Sequence, residues 1–210
     1  MNLAGIARHC LPHHLSVMGA VHDAGSTVVL LGPGEPGFWD HIRRQPELQD
    51  GATDPLDRWS KRVIGAVASE LGAHAIFPSD GPPYPPFISW ALSSARCWLS
   101  PSGLLVHDTA GLMVSFRGAL RLDARLDLPA TSSPSPCEAC ASQPCRSACP
   151  VDALTPAAYD VAACRAHIRE SDSAACRSKG CAARRACPVS QSYGRKPDQS
   201  AFHMRAFLGE

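Results

Sequence analysis

The 210 residues are enough for one ordinary domain with a smaller second one, and 45% apolar with 19% charged residues is a composition typical of soluble globular proteins. The 19 prolines and 16 glycines disfavour an architecture of long regular elements. The net charge is only +1. No run approaches the roughly 20 apolar residues of a membrane-spanning helix, and the N-terminal stretch does not resemble a secretory signal. We therefore expect a cytoplasmic protein with no membrane association.

The first predicted elements are a strand and a short helix. A β-branched and apolar run predicts a buried strand over Ser26–Leu31, and Gly32-Pro33-Gly34 ends it. A short helix is expected over Phe38–Arg44. The stretch Gly32 to Gly37 matches Gly-x-Gly-x-x-Gly literally, but Pro33 and Pro36 have no N–H group to offer a pyrophosphate, so we favour a rigid turn over a dinucleotide site.

The clearest predicted helix covers Pro55–Leu71. Asp54 is a candidate N-cap, Pro55 suits the first turn, and Gly72 suits the left-handed position beyond the last turn. Its apolar residues recur at helical spacing, which predicts one buried face.

Strand and helix signals continue along the chain. We expect a strand over His74–Phe77, a helix over Phe87–Ala95, and a hairpin of strands Gly103–His107 and Leu112–Leu120 joined by the turn Asp108–Gly111. Together with the earlier elements they predict a layer of helices on strands, so the fold class is α+β.

Domain boundaries follow from composition. The Ser/Pro-rich stretch 129–136 is the predicted linker between an α/β domain over 1–128 and a cysteine-rich domain over 137–197, with 198–210 as a C-terminal tail.

The cysteine-rich domain carries the strongest chemical signal. Eight of the ten cysteines lie within it, and two of them immediately precede a proline. The eight candidate ligands are Cys137, Cys140, Cys145, Cys149, Cys164, Cys176, Cys181 and Cys187. A [4Fe–4S] cluster takes four thiolates, so the set matches two clusters with none left over.

The partition of these ligands follows ferredoxin chemistry, in which the cysteine before proline binds the other cluster. Cys187 is therefore expected to join the first three cysteines, and Cys149 to join the isolated Cys164 and the pair Cys176 and Cys181. The spacing is irregular, because four residues separate Cys140 from Cys145 where two are usual. Structural zinc and a disulfide framework are the alternatives, the second disfavoured in a reducing compartment.

The C-terminal segment is basic. Residues 165–210 hold 9 Lys/Arg against 4 Asp/Glu, and residues 1–164 hold 11 against 15. Compensation of anionic clusters is the favoured explanation, with docking of an acidic redox partner or of nucleic acid as the alternatives.

Several segments carry a likeness to a known family. They are Ser79-Asp80-Gly81-Pro82-Pro83, Leu104-Leu105-Val106-His107, Met113 to Leu120, the isolated Cys164, and Gly180-Cys181 to Pro188. Over residues 75–192 the chain resembles the epoxyqueuosine reductases, which hold cobalamin and iron–sulfur clusters and are themselves similar to reductive dehalogenases. The family's Gly-Trp-Ile-Gly-Lys-Asn stretch is replaced here by Arg96 to Ser102, and no C-terminal helical-repeat domain follows.

The resemblance implies a nitroreductase-like first domain, also similar to cobalamin-trafficking proteins, and a two-[4Fe–4S] ferredoxin-like second domain. It places Asp80 at the family's proton-donating aspartate, and Ser115, Phe116 and Arg117 at a corrinoid. An aspartate before Gly-Pro-Pro is also a common turn former.

Three functions follow from these expectations. The chain is a cobalamin-dependent reductase that receives electrons from a redox partner protein and acts on a small-molecule or tRNA-borne substrate, a corrinoid-reducing protein without a further substrate, or a plain ferredoxin-type carrier.

Overall fold

Helices and strands are interspersed along the chain, and the computed structural model describes residues 1–129, 133–170 and 175–210. The described helices are α1 Leu3–Cys10, α2 Phe38–Ile42, α3 Pro55–Leu71, α4 Phe87–Ser93, α5 Val161–Glu170, α6 Ala175–Lys179, α7 Ala182–Ala186, α8 Pro188–Ser192 and α9 Pro197–Leu208. The described strands are β1 Leu15–Asp23, β2 Ser26–Pro33, β3 His74–Ile76, β4 Cys97–Leu99, β5 Leu105–His107 and β6 Gly118–Leu122. Short 3₁₀ turns cover Leu11–His13, Pro46–Leu48 and Pro144–Arg146. The α+β class is therefore confirmed.

The chain divides into two units, each built from two stretches of sequence. The first consists of Met1–Arg96 and Ser115–Ser133, and the second of Cys97–Val114 and Pro134–Glu210. The predicted division put Cys97–Val114 in the first domain, whereas in the structure this segment belongs to the second unit, together with the eight predicted cysteine ligands. The predicted linker 129–136 lies partly outside the described residues, at 130–132.

The first unit is organised around β2. Its sheet has the order β1-β2-β6-β3 with antiparallel neighbours, and β1 joins β2 through Ala24-Gly25, whose φ angles of 47° and 86° suit a two-residue hairpin turn. Every residue of Thr27–Pro33 is buried, as expected for a central strand covered on both faces. The strand predicted at Ser26 is confirmed, whereas β1 was missed.

Helix α3 has the predicted bounds and packs against β3 and β6. Trp59, Val63 and Val67 form its buried face, as the spacing predicts. Gly72 takes the left-handed conformation that ends the helix. Asp54 does not act as the predicted N-cap, since it also has a positive φ and its side chain makes no capping hydrogen bond.

The predicted hairpin of residues 103–120 is wrong beyond its turn. Gly111 does pair with His107. Leu112 does not continue this strand pairing, because its N–H donates to Ser190 Oγ at 2.8 Å. β5 pairs with β4 instead, and β6 pairs with β2 and β3 in the first unit's sheet.

The second unit combines the β4-β5 pair with short helices. α7 contacts α8 and the Pro144–Arg146 turn, and α9 contacts α6. The segment expected to be a tail therefore contributes a helix to this unit, and Leu208 is buried with Cys176 and Ile168.

Candidate metal centres

Four of the predicted ligands surround one cavity. A cavity of about 390 Å³ in the second unit is bordered by Cys137, Cys140, Cys145 and Cys187. The remaining wall is mostly apolar and includes Val106, Leu112, Pro136, Pro144 and Val189. The structure thus brings together three cysteines of the first sequence group and the last cysteine of the second. We call these four residues the first thiol group.

A tight turn explains the long spacing between Cys140 and Cys145. Gln143 has a φ of 38°, and its carbonyl accepts the N–H of Arg146 at 3.1 Å, so the chain reverses directly before the 3₁₀ turn that carries Cys145. The extra residues relative to an ordinary ferredoxin spacing are accommodated in this turn, and Cys145 still reaches the cavity.

Cys187 reaches the same cavity from the start of α8. It immediately precedes Pro188, and its carbonyl accepts the N–H of Gln191 at 3.1 Å. Ser190 on the same helix receives the N–H of Leu112, which fixes the cavity's apolar wall to this helix.

In the first thiol group Cys145 and Cys187 are buried, and Cys137 and Cys140 are half-buried. Burial raises the pKa of the Cys137 thiol, Ser135 lowers it, and the thiols of Cys145, Cys187 and Cys140 raise it further. Burial likewise raises the pKa of the Cys145 thiol, and a hydrogen bond with the Ser102 hydroxyl lowers this pKa. The thiols of Cys137 and Cys145 therefore ionise less readily than an exposed cysteine thiol.

The other four predicted ligands, Cys149, Cys164, Cys176 and Cys181, also lie near one another, and we call them the second thiol group. Burial raises the pKa of Cys164, the Tyr159 hydroxyl lowers it, and the thiols of Cys181, Cys149 and Cys176 raise it. Cys164 lies on α5, Cys176 on α6, and Cys181 directly before α7.

Hydrogen-bond donors surround the second group. The Ala153 N–H donates to Cys149 Sγ at 3.3 Å, and the Ala182 N–H lowers the pKa of Cys176, which burial raises. Burial and the hydrogen bond to Cys164 raise the pKa of Tyr159, whose ring stacks on Phe207 with the centroids 6.3 Å apart.

Two arginines add positive charge beside the same group. Burial lowers the pKa of the Arg184 guanidinium, while the Cys181 thiol and the Tyr159 hydroxyl raise it. Arg184 also donates to the Leu112 carbonyl. Arg185 lowers the pKa of Cys176 and donates from Nε to the Gly180 carbonyl at 3.0 Å.

The two spatial groups have the same members as the predicted crossed partition, and the binding of a cluster by each group stays a prediction. Cys149 lies near Cys164 and Cys176, and Cys187 borders the same cavity as Cys137 and Cys145. Across residues 1–129, 133–170 and 175–210, no three Cys, His, Asp or Glu side chains converge as ligands of a single metal ion. A cubane differs from a single ion in that its thiolates bind separate iron atoms and ring a volume.

The predicted catalytic residue, Asp80, lies in a turn of the first unit. Its Oδ2 accepts the N–H of Phe77 at 2.9 Å, and its Oδ1 lies 3.5 Å from Lys61 Nζ. The Asp80 side chain is 42% exposed, so its carboxylate is accessible to solvent. Its hydrogen bond to Phe77 also stabilises the loop that follows β3.

The predicted cofactor residues precede β6 in the same unit. Ser115 Oγ and Arg117 Nε are buried without a hydrogen-bond partner among the described residues, and Phe116 packs against Phe87 with ring centroids 6.0 Å apart. Burial lowers the pKa of Arg117, while Asp57, whose Oδ1 lies 3.7 Å from Arg117 Nη1, raises it. Two buried polar atoms of this segment are therefore unsatisfied within the described part of the chain.

Three residues near the thiols were not predicted from the sequence: Tyr159, Arg184 and Ser102. They belong to no motif with a regular spacing. Ser102 lies in the loop between β4 and β5, and Tyr159 lies in an irregular stretch. The basic bias of residues 165–210 was the one available indication of Arg184.

Comparisons with family models, with curated proteins and with solved structures gave no match to this chain. Among the helices described, none has both the length and the apolar character needed to cross a bilayer.

Proposed function

We propose that this chain is an iron–sulfur electron-transfer protein that holds one [4Fe–4S] cluster in each thiol group. The observation that supports it best is the cavity of about 390 Å³ bordered by Cys137, Cys140, Cys145 and Cys187. Cys187 lies 42 residues beyond Cys145 in the chain, so local sequence spacing does not account for its presence beside the other three.

The residues around each group fit such a cluster. Four thiolates are the ligand set of a cubane, and the cavity bordered by the first thiol group has a mostly apolar wall. Backbone and hydroxyl donors directed at sulfur, such as the Ala153 N–H at Cys149, stabilise thiolate charge. When bound, each cluster accepts and releases one electron.

The first unit is proposed to receive these electrons as a reductase domain. The unsatisfied Ser115 Oγ and Arg117 Nε are candidate donors to a corrinoid or substrate, and Asp80 is the candidate proton donor. A redox partner protein is the proposed electron source, and a cytoplasmic location is proposed with it. Corrinoid reduction without a further substrate and simple electron carriage are the competing functions.

Anaerobic reconstitution tests the cluster proposal. The full chain is incubated with iron and sulfide, desalted, and analysed for iron, sulfide and zinc. We expect about eight irons per chain and a broad band near 400 nm, as two [4Fe–4S] clusters require. A colourless chain holding only zinc would contradict the proposal.

A matched pair of variants makes this test specific. Cys140→Ser removes a ligand of the first thiol group and is expected to halve the iron content. Cys97→Ser removes a buried cysteine of β4 that belongs to neither group, and should leave the iron content unchanged.

A further inference from the structure

One face of α5 is exposed and basic. Val161, Arg165 and Arg169 follow one another at intervals of four residues, so they lie on the same face of the helix, and all three are exposed. On another face, Ile168 is completely buried, and the half-buried Cys164 packs with it. The helix therefore presents two arginines to solvent while it carries a cysteine of the second thiol group on its packed side.

An aromatic pair extends this face beyond the helix. The Tyr159 ring stacks on Phe207 at an interplanar angle of 15°, and Arg165 Cζ lies 4.9 Å from the centroid of the Phe207 ring. Tyr159 is 42% exposed and Val161 is 38% exposed, so apolar surface lies uncovered beside the arginines. We call Tyr159, Val161, Arg165 and Arg169 the α5 surface.

The positive charge of the α5 surface is available to a partner. Among the described residues, no carboxylate forms an ion pair with Arg165 or Arg169. Of the two acids at the ends of α5, Asp160 accepts the N–H of Ala163 at 2.9 Å, and Glu170 is the last residue of the helix. Water and salt screen an exposed guanidinium, so it compensates the charge of a buried cluster only weakly. Attraction of an acidic partner therefore explains these two arginines better than internal compensation does.

We propose that the α5 surface is the docking site of an acidic protein that carries electrons. The inference rests on the proposed function, which makes the partner of this chain an electron carrier. Docking there places the partner against the helix that carries Cys164.

An acidic protein fits this surface better than a nucleic acid does. Tyrosine and arginine are enriched at protein–protein interfaces, and here Tyr159 lies on the same Phe207 ring as Arg165. Affinity for a nucleic acid depends on many contacts between cations and phosphates, and the α5 surface contributes two cations.

The experiment measures the binding of two carrier proteins to the reconstituted full chain by isothermal titration calorimetry. The probes are a plant-type ferredoxin, which is acidic, and cytochrome c, which is basic. We expect only the ferredoxin to bind, with an affinity that falls as salt is added. Arg165→Glu and Arg169→Glu should each weaken this binding about tenfold at low salt.

Two further variants separate the contributions of charge and apolar contact. Arg169→Glu already covers the case in which Arg165→Glu disturbs the packing on Phe207. Val161→Ser should weaken binding to the same extent at low and high salt, because it removes apolar contact without changing charge. Arg146→Glu is the matched control, since Arg146 is exposed and directly follows a cysteine of the first thiol group, and it should leave binding unchanged.

The outcomes separate the docking site from the proposed function. The docking site is overturned, and the clusters stand, if ferredoxin does not bind an iron-loaded wild-type chain or if Arg146→Glu weakens binding as much as Arg165→Glu does. Binding of transfer RNA that is tighter than that of ferredoxin and is lost in the same arginine variants would assign the surface to nucleic acid instead. If the wild-type chain takes up no iron, the proposed function and the docking site fall together.

Discussion

Gly111 lies so close to Ser190 that a Cβ atom at Gly111 would come within 2.5 Å of the Ser190 backbone nitrogen. Gly111 also has a φ of 55°, which side-chain-bearing residues rarely adopt. This contact packs Gly111 against α8, the helix that follows Cys187. The next residue, Leu112, donates its N–H to Ser190 and is part of the wall of the first cavity, so the position of that wall depends on the contact.

Replacing this glycine should therefore destabilise the second unit. We expect Gly111→Ala to lower the free energy of unfolding by about 2–4 kcal/mol, through backbone strain and overpacking, and to increase iron loss. Urea unfolding of the reconstituted chain measures it. Gly209→Ala is the control, because Gly209 has a φ of 83° and open space around it. Equal effects of the two variants would mean that the contact with Ser190 is unimportant.

The crossed partition predicts which cysteine variants share a phenotype. Cys187→Ser should remove the same resonance signal as Cys140→Ser, although Cys187 is closer in sequence to Cys181. Cys149→Ser should remove the other signal, together with Cys164→Ser. Paramagnetic resonance of these four single variants and of Cys181→Ser decides it, and loss of one common signal in Cys187→Ser and Cys181→Ser would contradict the partition.

Variants of Asp80 separate its structural role from the proposed chemical one. Asp80→Asn keeps an oxygen that can accept the Phe77 N–H, whereas Asp80→Ala does not, so the alanine variant alone should lose about 0.5–1.5 kcal/mol of stability. If Asp80 donates a proton, both variants should reduce an epoxide substrate about 100-fold more slowly. Undiminished turnover of the asparagine variant would leave Asp80 as a turn residue.

Corrinoid binding is tested by spectral titration with hydroxocobalamin. We expect saturable binding, weakened about tenfold in Ser115→Ala, because the buried Ser115 Oγ is left without a partner in the described part of the chain. Ser69→Ala is the control, since Ser69 is exposed on α3 and donates to the Gly65 carbonyl. No spectral change with the wild-type chain would favour the plain electron carrier.

His41 predicts an acid-sensitive first unit. Burial and the neighbouring His14, His13, Arg44 and Arg62 lower its pKa below the usual 6.5. The folded chain thus binds this proton more weakly than the unfolded chain, so stability present above pH 6.5 is lost as the pH falls below it. His41→Gln should lose less stability than the wild type between pH 7.5 and pH 5.5, by urea unfolding. Parallel losses in both proteins would refute this assignment.

The parts of the fold that the sequence predicts are those governed by local rules. α3 was placed to the residue because its apolar spacing, Pro55 and Gly72 all agree. β1 was missed because it is an edge strand with a register shift between Val17 and Gly19, which interrupts the alternation on which strand prediction depends.

The hairpin error has a different origin. The turn after His107 was correctly predicted, but the strand expected beyond it depends on a distant partner, because Leu112 binds Ser190. Contacts of this kind join residues far apart in the sequence, so the residue pattern around Leu112 does not predict them.

The candidate site follows the same rule. The expected direction of a cysteine before proline, as in two-cluster ferredoxins, predicts that Cys187 lies near Cys137 and Cys145, and these three cysteines do border one cavity. The contributions of Tyr159, Arg184 and Ser102 depend on tertiary placement, so the sequence alone did not reveal them.

The interleaving of the two units limits how this protein can be divided. Cys97–Val114 supplies Val106 and Leu112 to the wall of the first cavity, while β6, which follows it, completes the first unit's sheet between β2 and β3. A fragment starting at Pro134 would keep all eight ligands yet lack that wall, and a fragment ending at Arg96 would lack an inner strand. The unit that carries the eight cysteines is therefore not one continuous segment that can be excised intact.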